Sequence, residues 1–283
     1  MPVQCRERFV TVRSGARVFT ADWGDPMDPR LPILGLPGFA RNVKDFAHVA
    51  EAIAPRRLVS LDYRGRGRSD YEEDPANYAP SVIVDDVRAV MTALGLHKVV
   101  AIGTSFGGIV AMALAVTAPT SLAGVVLNDI GPHIPKDGGN YLIEAMGRER
   151  RPATWKDAAA EMHAILPALS LRTEEEWIAF AKTTYREEPD GTLRQDWDTA
   201  IVKPLAHPES AEADLWALFA ALTVVPTLAF HGGQSIVLDA ETTAEMRRRH
   251  PTMELVTLPD VGHAPTLDEP PARAALERFL ARF

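Results

Sequence analysis

Ser105 stands in Gly103-Thr104-Ser105-Phe106-Gly107, after the apolar run Val99-Val100-Ala101-Ile102 and before Gly108-Ile109-Val110-Ala111-Met112-Ala113. A buried strand, a tight turn and a buried helix read in that order. The flanking glycines let strand and helix approach closely. The turn lifts the hydroxyl to a helix N-terminus, where negative charge is stabilised. A free hydroxyl is a poor nucleophile at neutral pH, so Ser105 needs a base. Of the eight histidines, only His263 sits in a post-strand loop late in the chain, within Pro259-Asp260-Val261-Gly262-His263-Ala264-Pro265. His48, His97, His163, His207 and His250 read as helix or surface residues. An anionic tetrahedral intermediate also needs two preorganised N–H donors. The amide of Phe106, next to Ser105, is one. The amide of Phe39, beside flexible Gly38, is the natural second. Acyl transfer is the chemistry these groups suit.

Such groups need a frame, and the rest of the chain supplies one. Residues 9–13 and 16–23 read as a hairpin about Ser14-Gly15, and Leu31–Leu36, Arg57–Leu61 and Ala123–Asn128 as short buried strands. Helices are expected from Val43 to Ala54 and from Pro80 to Leu94. From Ile134 to about Leu222 the texture is helical, rich in Trp, Glu and Ala, with no convincing strand. Strands resume at Pro226–Phe230 and Met253–Leu258, with helices over Ala240–His250 and Pro271–Phe283. Alternating strands and helices imply an α/β fold with a mostly parallel, doubly wound sheet of about eight strands. Ligands then bind at the carboxyl ends of the strands. The organisation expected is a core of residues 1–131 and 223–283, with a helical cap of 132–222.

Bulk properties narrow the function. The 283 residues are 46% hydrophobic and 24% charged, with net charge −8. Lys and Arg are scattered, which argues against nucleic acid as a partner. No apolar run approaches the ~20 residues of a membrane span. The start, Met1 to Arg8, has no apolar signal-peptide core. A lone Cys5 excludes an intramolecular disulfide. Cytoplasm is the default compartment. A small-molecule substrate, no cofactor, and a monomer or homodimer are the expectations. His133, His231 and His263 lack the spacing of a metal site.

Pro37-Gly38-Phe39, Asp62-Tyr63-Arg64-Gly65-Arg66-Gly67-Arg68-Ser69, Gly103-Thr104-Ser105-Phe106-Gly107-Gly108 and Gly262-His263 follow one another as in the α/β-hydrolase fold superfamily. The chain resembles its capped serine esterases, enol-lactonases and carbon–carbon bond hydrolases over essentially its whole length. The resemblance implies a hydrolase of small, fairly apolar esters or lactones, acting through an acyl-enzyme on Ser105. It also implies an aspartate after Pro226–Phe230, where this chain has His231-Gly232-Gly233-Gln234-Ser235-Ile236-Val237-Leu238-Asp239. Ile236 occupies the acid's position and would face the pocket. Three readings follow: Asp129 serves as the acid, Asp239 shifts into place, or the triad is incomplete. His133 stands where relatives often carry an acidic residue. It is either a solvent-facing cap hinge or a second pocket imidazole, acting as base or nucleophile. A repurposed or engineered scaffold with lyase-type chemistry through His133, and a ligand-binding protein with a degraded triad, are the rival functions. Arg64, Arg66 and Arg68 are expected to brace their loop by pairing with Asp or Glu. Leu142 and Met146 are expected to line the pocket, with some of Trp155, Trp177, Trp197 and Trp216.

Overall fold

A computed structural model describes residues 3–206 and 214–283; His207 lies outside them. Strand β1 (Cys5–Thr11) pairs antiparallel with β2 (Arg17–Trp23). Then β3 (Ile33–Leu36), α1 (Ala47–Ile53), β4 (Leu58–Leu61), α2 (Pro80–Ala93), β5 (Val99–Thr104), α3 (Phe106–Thr117) and β6 (Leu122–Asn128) alternate. An insertion carries α4 (Lys136–Gly147), α5 (Trp155–Ile165), α6 (Glu174–Thr184), β7 (Tyr185–Glu187) and β8 (Leu193–Gln195). The chain closes with α7 (Leu215–Ala220), β9 (Thr227–Gly232), α8 (Ala240–Arg249), β10 (Glu254–Leu258) and α9 (Pro270–Leu280). The main sheet runs β1-β2-β4-β3-β5-β6-β9-β10. Its eight strands are parallel from β4 to β10, and β2 pairs antiparallel with both β1 and β4. The α/β expectation holds.

The central strands β3, β4, β5, β6 and β9 are buried almost throughout because both faces of the sheet are covered there, whereas the edge strand β1 is largely exposed. Val99, Ala101, Val125, Leu127 and Ala229 join a core with α2 and α3. Their immediate neighbours Val100, Ile102, Val126, Leu228 and Phe230 point the other way, into a core with α1 and α9. A two-residue period thus builds two cores from one set of strands. Burying each such Val, Leu or Phe contributes roughly 1.5–3 kcal/mol.

The insertion has a core of its own. Met162, Trp177, Tyr185, Trp197 and Ile201 pack together, with Ala40 and Tyr78 reaching up from the sheet side. Helix α6 starts on a reciprocal cap between Thr173 and Glu176. Two features differ from expectation. The segment read as free of strands contains the β7–β8 hairpin, turning at Gly191 with φ +83°. Three-residue strands are too short to show a period, and only the turn residues Pro189-Asp190-Gly191 signalled them. Within the segment assigned to the cap, Phe219 of α7 and the following Leu222 are buried with α3 in a sheet core.

Candidate active site

Ser105 links β5 to α3 with φ +51° and ψ −119°, a backbone position that non-glycine residues seldom take. Crowding explains the glycines around it. A Cβ on Gly103 would lie 2.4 Å from the Gly107 carbonyl oxygen, and one on Gly107 would lie 2.0 Å from that of Leu36. Without them the turn could not seat against β3. The Ser105 amide donates to the Asn128 carbonyl at 2.9 Å, which ties the turn to the end of β6.

His263 is 158 residues away in sequence, yet its Nε2 stands 2.9 Å from Ser105 Oγ. Its Nδ1 stands 2.7 Å from Asp129 Oδ2. The imidazole side chain is 9% exposed and the carboxylate is fully buried. Asp129 follows β6 directly, with φ +55°. The Gly232 amide donates to its Oδ1 at 2.7 Å, and the Ser235 hydroxyl to its Oδ2 at 2.6 Å. Three hydrogen-bond partners fix this buried carboxylate in one orientation. Asp239 is elsewhere. It caps α8, accepting from the Thr242 amide at 2.7 Å.

Ile236 does not face the pocket. It is 42% exposed, and the cavity wall beside that loop is Val237. His133 is exposed on the outer surface and is not part of the cavity wall, so the second-imidazole expectation is corrected. Its position after the buried Gly131-Pro132 turns it toward solvent, in the field of Asp239. Among the described residues no group of three His, Cys, Asp or Glu could hold a metal. His231 is buried against Thr257, its Nδ1 3.4 Å from the hydroxyl.

Above Ser105 and His263 lies a cavity of about 750 Å³. Gly38, Phe39, Phe106, Leu142 and Met146 all line it, as does Trp197 from the insertion. Trp155, Trp177 and Trp216 do not line it. The Phe39 and Phe106 rings meet edge to face, centroids 5.4 Å apart. Phe106 opens α3, so its amide has no partner inside the helix. Among the described residues no turn or loop bond uses the Phe39 amide either.

Two contributors were not singled out from the sequence, and a third, Arg66, has a partner other than the one expected. Ser235 holds Asp129 from the very loop in which an acid was sought. Asn128 receives Ser105 on its carbonyl, and its side chain donates to Thr104 at 3.2 Å and to the Pro265 carbonyl at 2.9 Å. It therefore fastens the serine turn to the histidine loop. Arg66 donates to the Phe39 carbonyl rather than to a carboxylate. Ser235 beside a Gly-Gly pair was the only local hint.

The profile of the alpha/beta hydrolase fold matches residues 32–270. The chain belongs to that family. Among curated relatives of this chain, the 3-hydroxybutyrate-oligomer hydrolase of Cupriavidus necator is 32% identical over 268 residues, covering 91% of this chain and 90% of the relative. An sn-1-specific diacylglycerol lipase of Mus musculus is 28% identical over 255 residues, covering 87% and 79%. The crystal structure of an alpha/beta hydrolase from Novosphingobium aromaticivorans superposes with a TM-score of 0.92 at 36% identity, covering 99% of both chains. These relatives are hydrolases, and the hydrolase fold carries the connected Ser105, His263 and Asp129 at the carboxyl ends of its strands.

Proposed function

We propose that the protein is a serine hydrolase of carboxylic esters, and the observation that carries this is the continuous Ser105–His263–Asp129 line beneath an apolar cavity. His263 Nε2 takes the Ser105 proton as Oγ attacks the ester carbonyl carbon. Asp129 holds the Nδ1 proton in place and stabilises the imidazolium. The Phe39 and Phe106 amides receive the developing oxyanion. Collapse of the tetrahedral intermediate breaks the carbon–oxygen bond, and the alcohol leaves with the proton from His263. Water, deprotonated by His263, then releases the acid and restores Ser105. The insertion acts as a cap that excludes bulk water and limits substrate size.

The cavity, with Phe39, Ile109, Leu142, Met146 and Leu166 on its walls, suits an aliphatic acyl chain. Ser170, Thr183 and Thr184 also line it. Similarity to a 3-hydroxybutyrate-oligomer hydrolase directs the substrate choice to short aliphatic esters, including those of hydroxy acids.

Stopped-flow turnover of p-nitrophenyl butyrate tests the reading. The parent chain should release a burst of nitrophenol stoichiometric with enzyme, and Ser105→Ala should abolish both burst and turnover. A Ser105→Ala protein that keeps them would refute the mechanism.

A further inference from the structure

The three arginines after β4 have different surroundings. Arg64 is paired with Asp86 and Glu72, and Arg68 reaches Glu7. Arg66 is wholly buried, and its partners are backbone carbonyls. Its Nε donates to the Phe39 carbonyl at 2.8 Å and its Nη1 to the Arg64 carbonyl at 2.7 Å, while among the described residues Nη2 has no hydrogen-bond partner. Its guanidinium lies over the Phe39 ring, 4.9 Å from the centroid. That ring abuts Phe106, and Phe106 also meets Tyr63 edge to face at 5.6 Å. The Tyr63 hydroxyl donates to the Pro37 carbonyl at 3.2 Å, so the start of the same loop is held from the same side. Burial pushes the Arg66 pKa down to about 10, which leaves it cationic at neutral pH. A buried cation without a carboxylate partner is costly to folding. An apolar side chain filling the same volume would avoid that cost, so the charge calls for another use.

We propose that Arg66 is a positioning residue for the oxyanion hole: it fixes the Phe39 carbonyl and ring, and through that ring Phe106, so that both amides are preset on one point. The proposal rests on the serine-hydrolase reading above, in which those two amides receive the oxyanion. Its positive charge, buried against Phe39 of the donor loop, also favours a developing negative charge more than a neutral ester. Its effect therefore falls on the transition state and not on substrate binding.

The test compares the parent with Arg66→Lys, Arg66→Gln and Arg66→Met, using p-nitrophenyl butyrate and the inhibitor butylboronic acid. Boronate bonded to the serine is a tetrahedral anion with a hydroxyl where the oxyanion forms. For Gln and Met, kcat should fall roughly 10- to 100-fold with KM within about twofold, as for partial loss of an oxyanion donor. Boronate affinity should fall by a similar factor. Lys keeps the charge without the fork, so it should recover part of both losses. Should Met or Gln fail to fold, the Lys variant alone decides, by whether kcat and boronate affinity fall together at constant KM. Parent-like kcat in the variants, a rise in KM alone, or no rescue by Lys would overturn the proposal. Ser105→Ala in the same assay separates the two failures. If it is dead while the Arg66 variants are normal, only the role of Arg66 is lost. If it keeps its burst, the hydrolase reading falls and this inference with it.

Discussion

Asp129 carries the sharpest residue-scale expectation. Its carboxylate accepts from His263, Gly232 and Ser235 together. An amide in its place would turn one N–H toward a donor and favour the wrong imidazole tautomer. Asp129→Asn should lower kcat by about 10⁴-fold with KM little changed, measured by steady-state ester hydrolysis. Ser235→Ala removes one of three donors and should cost roughly tenfold in kcat, the worth of one buried hydrogen bond to a charged group. Ile236→Asp should leave kcat within about twofold, because that side chain points to solvent and not to His263. A large gain there would show that Asp129 is not the working acid.

At the scale of elements, α8 and the turn before α3 are held by different physics. Asp239→Ala removes the helix cap and should cost about 1 kcal/mol in denaturant unfolding while leaving kcat intact. That separation marks Asp239 as a support of the fold. Gly107→Ala places a methyl carbon against the Leu36 and Pro37 carbonyls, which are backbone with no flexible side chain to yield. Overpacking of this kind costs typically 1–3 kcal/mol and shifts the serine turn, so melting temperature and kcat should fall together.

Across the whole molecule, the sheet's two apolar cores set stability, and one buried carboxyl makes it depend on pH. Asp62 accepts from the Val43 and Arg68 amides at 2.8 Å each, yet burial raises its pKa to about 7. Between about pH 4 and pH 7 the folded chain keeps a proton that the unfolded chain has released. Asp62 therefore makes stability fall as pH rises through that window, and the change levels off above it. Urea unfolding at pH 5 and pH 8 should show this decline in the parent, and Asp62→Asn should reduce it. An equal pH dependence in both proteins would mean that Asp62 stays ionised throughout.

The sheet, its helices and the serine turn were legible because local periodicity and steric need write them into the chain. Val99 to Ile102 alternate between two cores, and Gly103 and Gly107 clear the space around Ser105. His263 was legible from its loop, late in the chain and after a strand. The carboxylate partner of His263 stayed open among three readings, since no local pattern says which carboxylate meets an imidazole 134 residues away. Asp129 directly follows β6, whereas Asp239 closes the loop after the adjacent β9, at the start of α8. Only the packed sheet turns Asp129 inward beneath Ser235 and leaves Asp239 to cap a helix. The same holds for Ile236, His133 and Arg66, whose identities are local but whose directions are not. Side-chain direction at a loop is set by what packs around it, and that information exists only once the chain has folded.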